Sequence, residues 1–169
     1  IAAEVKKNNP DIYFHSDCAQ SFGKTKLAMN NKNIDMISFS AHKFHGPKGV
    51  GGLVIRKRDG ISLPIKPLMY GGGQERGVRP GTLPVALIAG MAKSLEISIK
   101  NQDKWDSECK EIKSMALDAF KGIKYKVYGT TDQNTLPNTL SIAFADLDAE
   151  AVILILKEHA EISTGSACT

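Results

Sequence analysis

The stretch Ile34-Asp35-Met36-Ile37-Ser38-Phe39-Ser40-Ala41-His42-Lys43-Phe44-His45-Gly46-Pro47-Lys48-Gly49 predicts both a fold class and a site. Residues 34–39 are an apolar run and read as a buried strand. A glycine-rich segment leaves the stretch. Between strand and glycines lie a hydroxyl (Ser40), an imidazole (His42) and an amine (Lys43). In α/β sheets, ligands bind outside the carboxyl ends of strands. A lysine placed there attacks carbonyls when its amine is kept deprotonated. Taken alone, Lys43 reads as a solvated surface lysine, as most lysines do.

Working outward towards the N-terminus, Ile12-Tyr13-Phe14-His15 reads as a short strand that runs into the polar segment Ser16-Asp17-Cys18-Ala19-Gln20-Ser21. Asp17 there is either a cap for a turn or a carboxylate aimed into a site. Residues 1–9 read as a helix end stopped by Asn8-Asn9-Pro10. Gly23-Lys24-Thr25 invites a phosphate-loop reading, but that motif needs glycine at position 18, where this chain has Cys. A nucleotide-binding module is therefore a weak rival.

Towards the C-terminus, Gly51-Gly52-Leu53-Val54-Ile55-Arg56 reads as another strand, and its glycines miss the dinucleotide-binding spacing. Ile65-Lys66-Pro67-Leu68-Met69-Tyr70 reads as a broken edge strand. The run from Gly71 to Thr82 is too glycine-rich for a regular element. It is either a plain flexible loop or an ordered active-site loop, with Arg76 and Arg79 suited to carboxylates and phosphates.

Residues 83–100 predict an amphipathic helix with Leu83, Leu87, Met91, Leu95 and Ile99 on its core face, widened by Val85, Ile88 and Ala92. Asn101-Gln102-Asp103 reads as a junction to a second helix carrying Trp105, Cys109, Ile112, Ala116, Ala119 and Phe120 on one face. The alternating runs 123–128 and 139–144 predict strands. Asp146 and Asp148 are candidate N-caps for a helix carrying Val152, Ile153, Leu156 and, in its last turn, His159. Glu161-Ile162-Ser163-Thr164 predicts a last short strand. Cys168, among small neighbours, is either a reactive thiol or a small loop residue.

Composition narrows the function classes. The 169 residues are 42% hydrophobic and 24% charged, which is ordinary for a soluble globular chain. The net charge of +4 is mild, with scattered lysines and few aromatics, so direct nucleic-acid binding is not expected. No apolar run approaches the roughly 20 residues of a membrane span. Three widely spaced cysteines argue against a disulfide framework and fit a reducing compartment, with the cytoplasm as the expected location. A structural metal site is not expected, because no Cys-x-x-Cys or His-x-x-x-His pair is present. The first residues look like the middle of a helix and the chain stops abruptly, so a fragment of a longer protein is expected.

Four motifs in order resemble the cysteine desulfurases, the NifS/IscS-like members of the class V aminotransferase superfamily. They are His15-Ser16-Asp17-Cys18-Ala19-Gln20; Ser40-Ala41-His42-Lys43 with Gly46-Pro47-Lys48-Gly49; Gly71-Gly72-Gly73-Gln74-Glu75-Arg76 with Arg79-Pro80-Gly81-Thr82; and Ser163-Thr164-Gly165-Ser166-Ala167-Cys168-Thr169. The resemblance implies an α/β fold of the PLP-dependent transferase type. Residues 1–100 would form the second half of the cofactor-binding large domain, and 101–169 the first part of a small α+β domain. It implies pyridoxal 5′-phosphate (PLP) as cofactor, with Lys43 as its Schiff-base lysine, Asp17 on the pyridine nitrogen and Gln20 on the phenolic oxygen. Ser40 and His42 would bind the phosphate, and Thr82 would reach the phosphate of the partner subunit in a homodimer. Cys168 would take the sulfur of L-cysteine as a persulfide and pass it to acceptor proteins, for iron–sulfur cluster assembly or tRNA thiolation. His15 and His45 read as structural residues or as support for the site, and Cys18 as packing. Thr164 stands where the family usually has a second serine. Family members are more than twice this length, so the 169 residues alone are expected to be inactive. A selenocysteine lyase and a degenerate non-catalytic scaffold are the alternatives.

Overall fold

The computed structural model describes residues 1–27, 31–129 and 135–165. Among them the chain forms two compact units, Ile1–Trp105 and Asp106–Thr169. No helix of the described residues is long and apolar enough to cross a membrane.

The first unit is built on a three-stranded sheet in the order β1 (His15–Asp17), β2 (Met36–Ser40), β3 (Gly51–Ile55). β1 and β2 are parallel, with Asp17 opposite Ser38; β3 returns antiparallel, with Gly51 opposite Ser40. The strand expected at Ile12–His15 is displaced to His15–Asp17. The carbonyls of Pro10, Asp11 and Ile12 bond to Arg58 instead of a neighbouring strand. Residues 65–70 form no strand. Pro64 and Pro67 each lack a ladder donor, and the run finds no partner.

Side chains alternate across the sheet. Ile37 is buried, and Phe39, on the same face, stacks on Phe22 at 3.9 Å between ring centroids, with Phe44 tilted 5.6 Å from Phe22. Fully burying a ring such as Phe44 contributes about 1.5–3 kcal/mol. Gly52 lies opposite Phe39, and a Cβ there would meet the Phe39 ring at 2.4 Å. Only glycine lets the ring lie flat against β3.

α2 (Val85–Ala119) is one continuous helix. The expected junction at 101–103 is absent, because Asn101, Gln102 and Asp103 contain no glycine or proline and a helix tolerates them. Asn101 Nδ2 donates back to the Ile97 carbonyl at 2.8 Å. The core face also differs from expectation. Ser94 and Ser98 are buried, whereas Val85 and Ile99 are 72% and 61% exposed. Close approach explains the exchange: Ser98 Oγ donates to the Phe44 carbonyl at 3.4 Å, and a Cβ on Gly46 would stand 2.7 Å from Ser94 Oγ. Larger side chains on that face would push the helix off the Lys43 turn. Gly46→Ala is accordingly expected to destabilise the protein by about 1–3 kcal/mol, because overpacking forces neighbours off their rotamers. A urea titration checks it, and an unchanged midpoint would contradict the close approach.

At the sheet end away from Lys43, Asp35 is 1% exposed and carries a charge. Arg58 donates to both of its oxygens, Nε to Oδ1 at 2.7 Å and Nη2 to Oδ2 at 3.0 Å. Lys6 Nζ, from helix α1 (Ala2–Asn8), lies 2.7 Å from Oδ2, and the Phe14 amide donates to the same oxygen at 2.7 Å. Arg58 first, then Lys6 and the Phe14 amide, hold this carboxyl well below the usual carboxylate range against the opposing effect of burial. Because the folded value is depressed, the stabilisation is present above the unfolded value of about 3.9. It is lost as pH falls from there through the folded value. Unfolding free energy is therefore expected to decline from pH 5 to pH 3 (by denaturant titration at each pH), and Asp35→Asn to flatten that decline.

The second unit pairs β4 (Tyr125–Tyr128) with β5 (Ser141–Phe144) as an antiparallel hairpin, followed by α3 (Ala149–Leu156). Phe120 packs edge-on against Tyr125 and Phe144, with centroids 6.0 and 5.1 Å away. Asp148, not Asp146, caps α3: its Oδ1 accepts from the amides of Glu150 and Ala151. Asp146 instead turns the chain with φ 60°. Residues 161–164 form no strand.

Candidate active site

Parallel pairing brings the C-terminal ends of β1 and β2 to one edge of the sheet, and antiparallel β3 begins there. Asp17 is the last residue of β1 and Ser40 the last of β2. The chain then enters a 3₁₀ turn, Ala41–Phe44, that contains His42 and Lys43. Two buried side chains, Ala41 and Phe44, anchor that turn, leaving Lys43 half-buried and His42 exposed. His45 closes it with φ 66°. The Ala41 amide donates to the Val50 carbonyl at 3.1 Å, and the Gly46 amide to the Ala41 carbonyl at 2.9 Å. Position 43 is thus fixed by backbone bonds on both sides.

The opposite face of the sheet from Ile37 and Phe39 is mixed, with Met36, Leu53 and Ile55 on it beside four polar residues. His15, Asp17, Ser38 and Ser40 share it by strand alternation and register. His15 Nε2 lies 3.1 Å from Ser38 Oγ, across the β1–β2 pair. Asp17 Oδ1 accepts from the Ala19 amide at 2.8 Å, so this carboxylate does cap a turn. Gln20 is exposed in that turn, while Cys18 is buried beneath it, its amide bonded to the Ser38 carbonyl at 2.8 Å.

Asp17 and Ser40, at strand ends, and Gln20, His42 and Lys43, in the turns that follow, therefore sit at one end of the sheet. Thr82, exposed, ends the segment after the 3₁₀ turn Gln74–Gly77. That segment is ordered into a turn with consecutive positive φ at Glu75 (50°), Arg76 (58°) and Gly77 (78°). Cys168 lies outside the described residues. Among the described residues no cluster of His, Cys, Asp and Glu could hold a metal ion. The ion-pair network at Asp35 escaped sequence reading. Its cations are 29 residues before and 23 after the carboxylate, and a lone Asp in an apolar run was the available signal.

The chain belongs to the class-V aminotransferase family, whose model matches residues 1–169. It is 42% identical over 160 residues to the cysteine desulfurase IscS of Rickettsia bellii, covering 94% of this chain and 38% of that protein. It is 36% identical over 169 residues to the mitochondrial cysteine desulfurase of Saccharomyces cerevisiae, covering all of this chain and 33% of that protein. Among solved structures, a NifS-like protein superposes with a TM-score of 0.81 at 36% identity, over 92% of this chain and 41% of its own. The chain thus spans between a third and two-fifths of the length of these curated relatives.

Proposed function

We propose that the protein carrying this chain is a PLP-dependent cysteine desulfurase. The observation that carries the reading is the placement of Lys43 in the turn leaving β2, at the sheet edge where β1 delivers Asp17. The relatives named cysteine desulfurase support it.

The side chains fit the cofactor by chemistry. A carboxylate suits a pyridinium nitrogen, hydroxyl and imidazole donors suit a phosphate, and a lysine amine suits an aldehyde. Asp17 would hold the ring nitrogen, Gln20 the phenolic oxygen, and Ser40 and His42 the phosphate, with Thr82 serving the partner subunit of a homodimer. When bound, PLP supplies an electron sink for the substrate's Cα–H and Cβ–S bonds. Lys43 takes the proton from the substrate Cα and returns one to the product. The Cys168 thiolate attacks the sulfur of L-cysteine. The C–S bond breaks, its electron pair and a proton complete the methyl group of alanine, and an S–S bond leaves a persulfide on Cys168. Acceptor proteins then remove that sulfur, with iron–sulfur assembly or tRNA thiolation as destinations. In this reading residues 1–100 belong to the cofactor-binding domain and 101–169 to the small domain. A cytoplasmic location rests on the cysteine usage alone.

Incubating the full-length protein with L-cysteine tests the reaction. Alanine is expected, with a gain of one sulfur on the peptide containing Cys168 and none in Cys168→Ser. Alanine formation undiminished in Cys168→Ser would contradict the assigned nucleophile. A selenocysteine lyase would instead turn over selenocysteine and spare cysteine.

A further inference from the structure

The glycine-rich segment 71–82 contains a polar side chain to which the proposed reaction gives no task. Gln74 Oε1 accepts from the Gly81 amide at 3.1 Å, across seven residues. The same amide group lies over Gly72, where a Cβ would stand 2.5 Å from Oε1 and 3.1 Å from Nε2. Gln74 therefore bridges both arms of the segment, and Gly72 must stay glycine for it to do so. Between the arms the backbone passes through the left-handed region at Glu75 and Arg76, which costs non-glycine residues free energy that some contact must offset. The Gly77 amide bonds the Gly73 carbonyl at 3.3 Å and the Val78 amide the Glu75 carbonyl at 3.1 Å, which closes the tip. Those bonds hold the tip only. Buried Pro80 seats the far arm beside Gly71, and Arg79 Nη1 donates to the Pro80 carbonyl at 3.0 Å. Gln74 adds the bond to the Gly81 amide, one residue before Thr82.

We propose that Gln74 is a positioning residue: by clamping Gly81 to the Gly72 arm it fixes where the Thr82 hydroxyl is presented to a phosphate. The proposal rests on the cofactor reading above. It assigns Gln74 no contact with the cofactor; its effect passes through the backbone of residue 81. An acceptor oxygen is all the clamp requires, so Gln74→Glu retains it and Gln74→Ala does not.

The test uses the full-length protein in two measurements. Amide exchange of the apo protein reads the clamp directly. The Gly81 amide is expected to exchange about two- to tenfold faster in Gln74→Ala than in wild type or Gln74→Glu, the range one exposed hydrogen bond commands. PLP titration reads the consequence: Gln74→Ala is expected to weaken binding by a similar factor, and to add nothing when Thr82 is already alanine. Equal Gly81 exchange in all three proteins would overturn the proposal. So would an undiminished effect of Gln74→Ala in the Thr82→Ala background. A wild-type protein that binds no PLP would overturn the cofactor reading and this proposal with it. Wild-type binding that is insensitive to Gln74→Ala would overturn this proposal alone.

Discussion

Lys43→Ala in the full-length protein is expected to lower alanine production from cysteine by about 10²- to 10⁴-fold, the range for losing a positioned proton-transfer group. Expression, melting and the Asp35 network should change little, because the turn is anchored by buried Ala41 and Phe44 and not by the lysine. Lys43→Arg should fail almost as badly. Arginine stays protonated at any working pH and cannot exchange its proton with a carbon centre. A loss smaller than tenfold for Lys43→Ala would return this residue to the solvated-surface reading. Activity assays of purified variants, with circular dichroism as the folding control, decide between the two.

Asp35→Ala carries the largest expected effect on stability. The substitution leaves Arg58 and Lys6 as buried or half-buried cations without their carboxylate, and frees the Phe14 amide. Breaking a buried pair in this way costs about 3–5 kcal/mol. The same network ties the ends of three segments together: Arg58 also bonds the Pro10, Asp11 and Ile12 carbonyls and lies 4.6 Å over the Tyr13 ring. Asp35→Ala should therefore loosen the entry to β1, and with it Asp17 at the other end of that short strand. Urea unfolding of the full-length protein measures the loss. A decrease below about 1 kcal/mol would mean that the carboxylate contributes no more than an exposed pair does.

The turn at Lys43 was legible from sequence because its signals agree. A strand-length apolar run, hydroxyl and basic residues, and a run of glycines all point to a strand end. Chain order alone could not reveal where α2 packs. The apolar stripe through Leu83, Val85 and Ile99 indicates a core face by hydrophobicity, but distance of approach decided the contact. Two serines, Ser94 and Ser98, face the turn because only small side chains fit beside Gly46 and the Phe44 carbonyl. The strands expected at 65–70 and 161–164 failed for a related reason. A strand needs a partner edge, and a short apolar run does not specify one. The shared strand-end position of Asp17 and Lys43 was legible mainly from the two stretches taken together. Asp17 on local evidence is a turn cap, which it is, and the sheet register then places it at the same edge as the lysine.

Borohydride reduction of the full-length protein loaded with PLP, followed by peptide mapping, decides whether Lys43 is the residue that holds the cofactor. A single phosphopyridoxyl adduct is expected on the peptide containing Ser40-Ala41-His42-Lys43, absent from Lys43→Ala. An adduct on another lysine, or none after saturation with PLP, would contradict it.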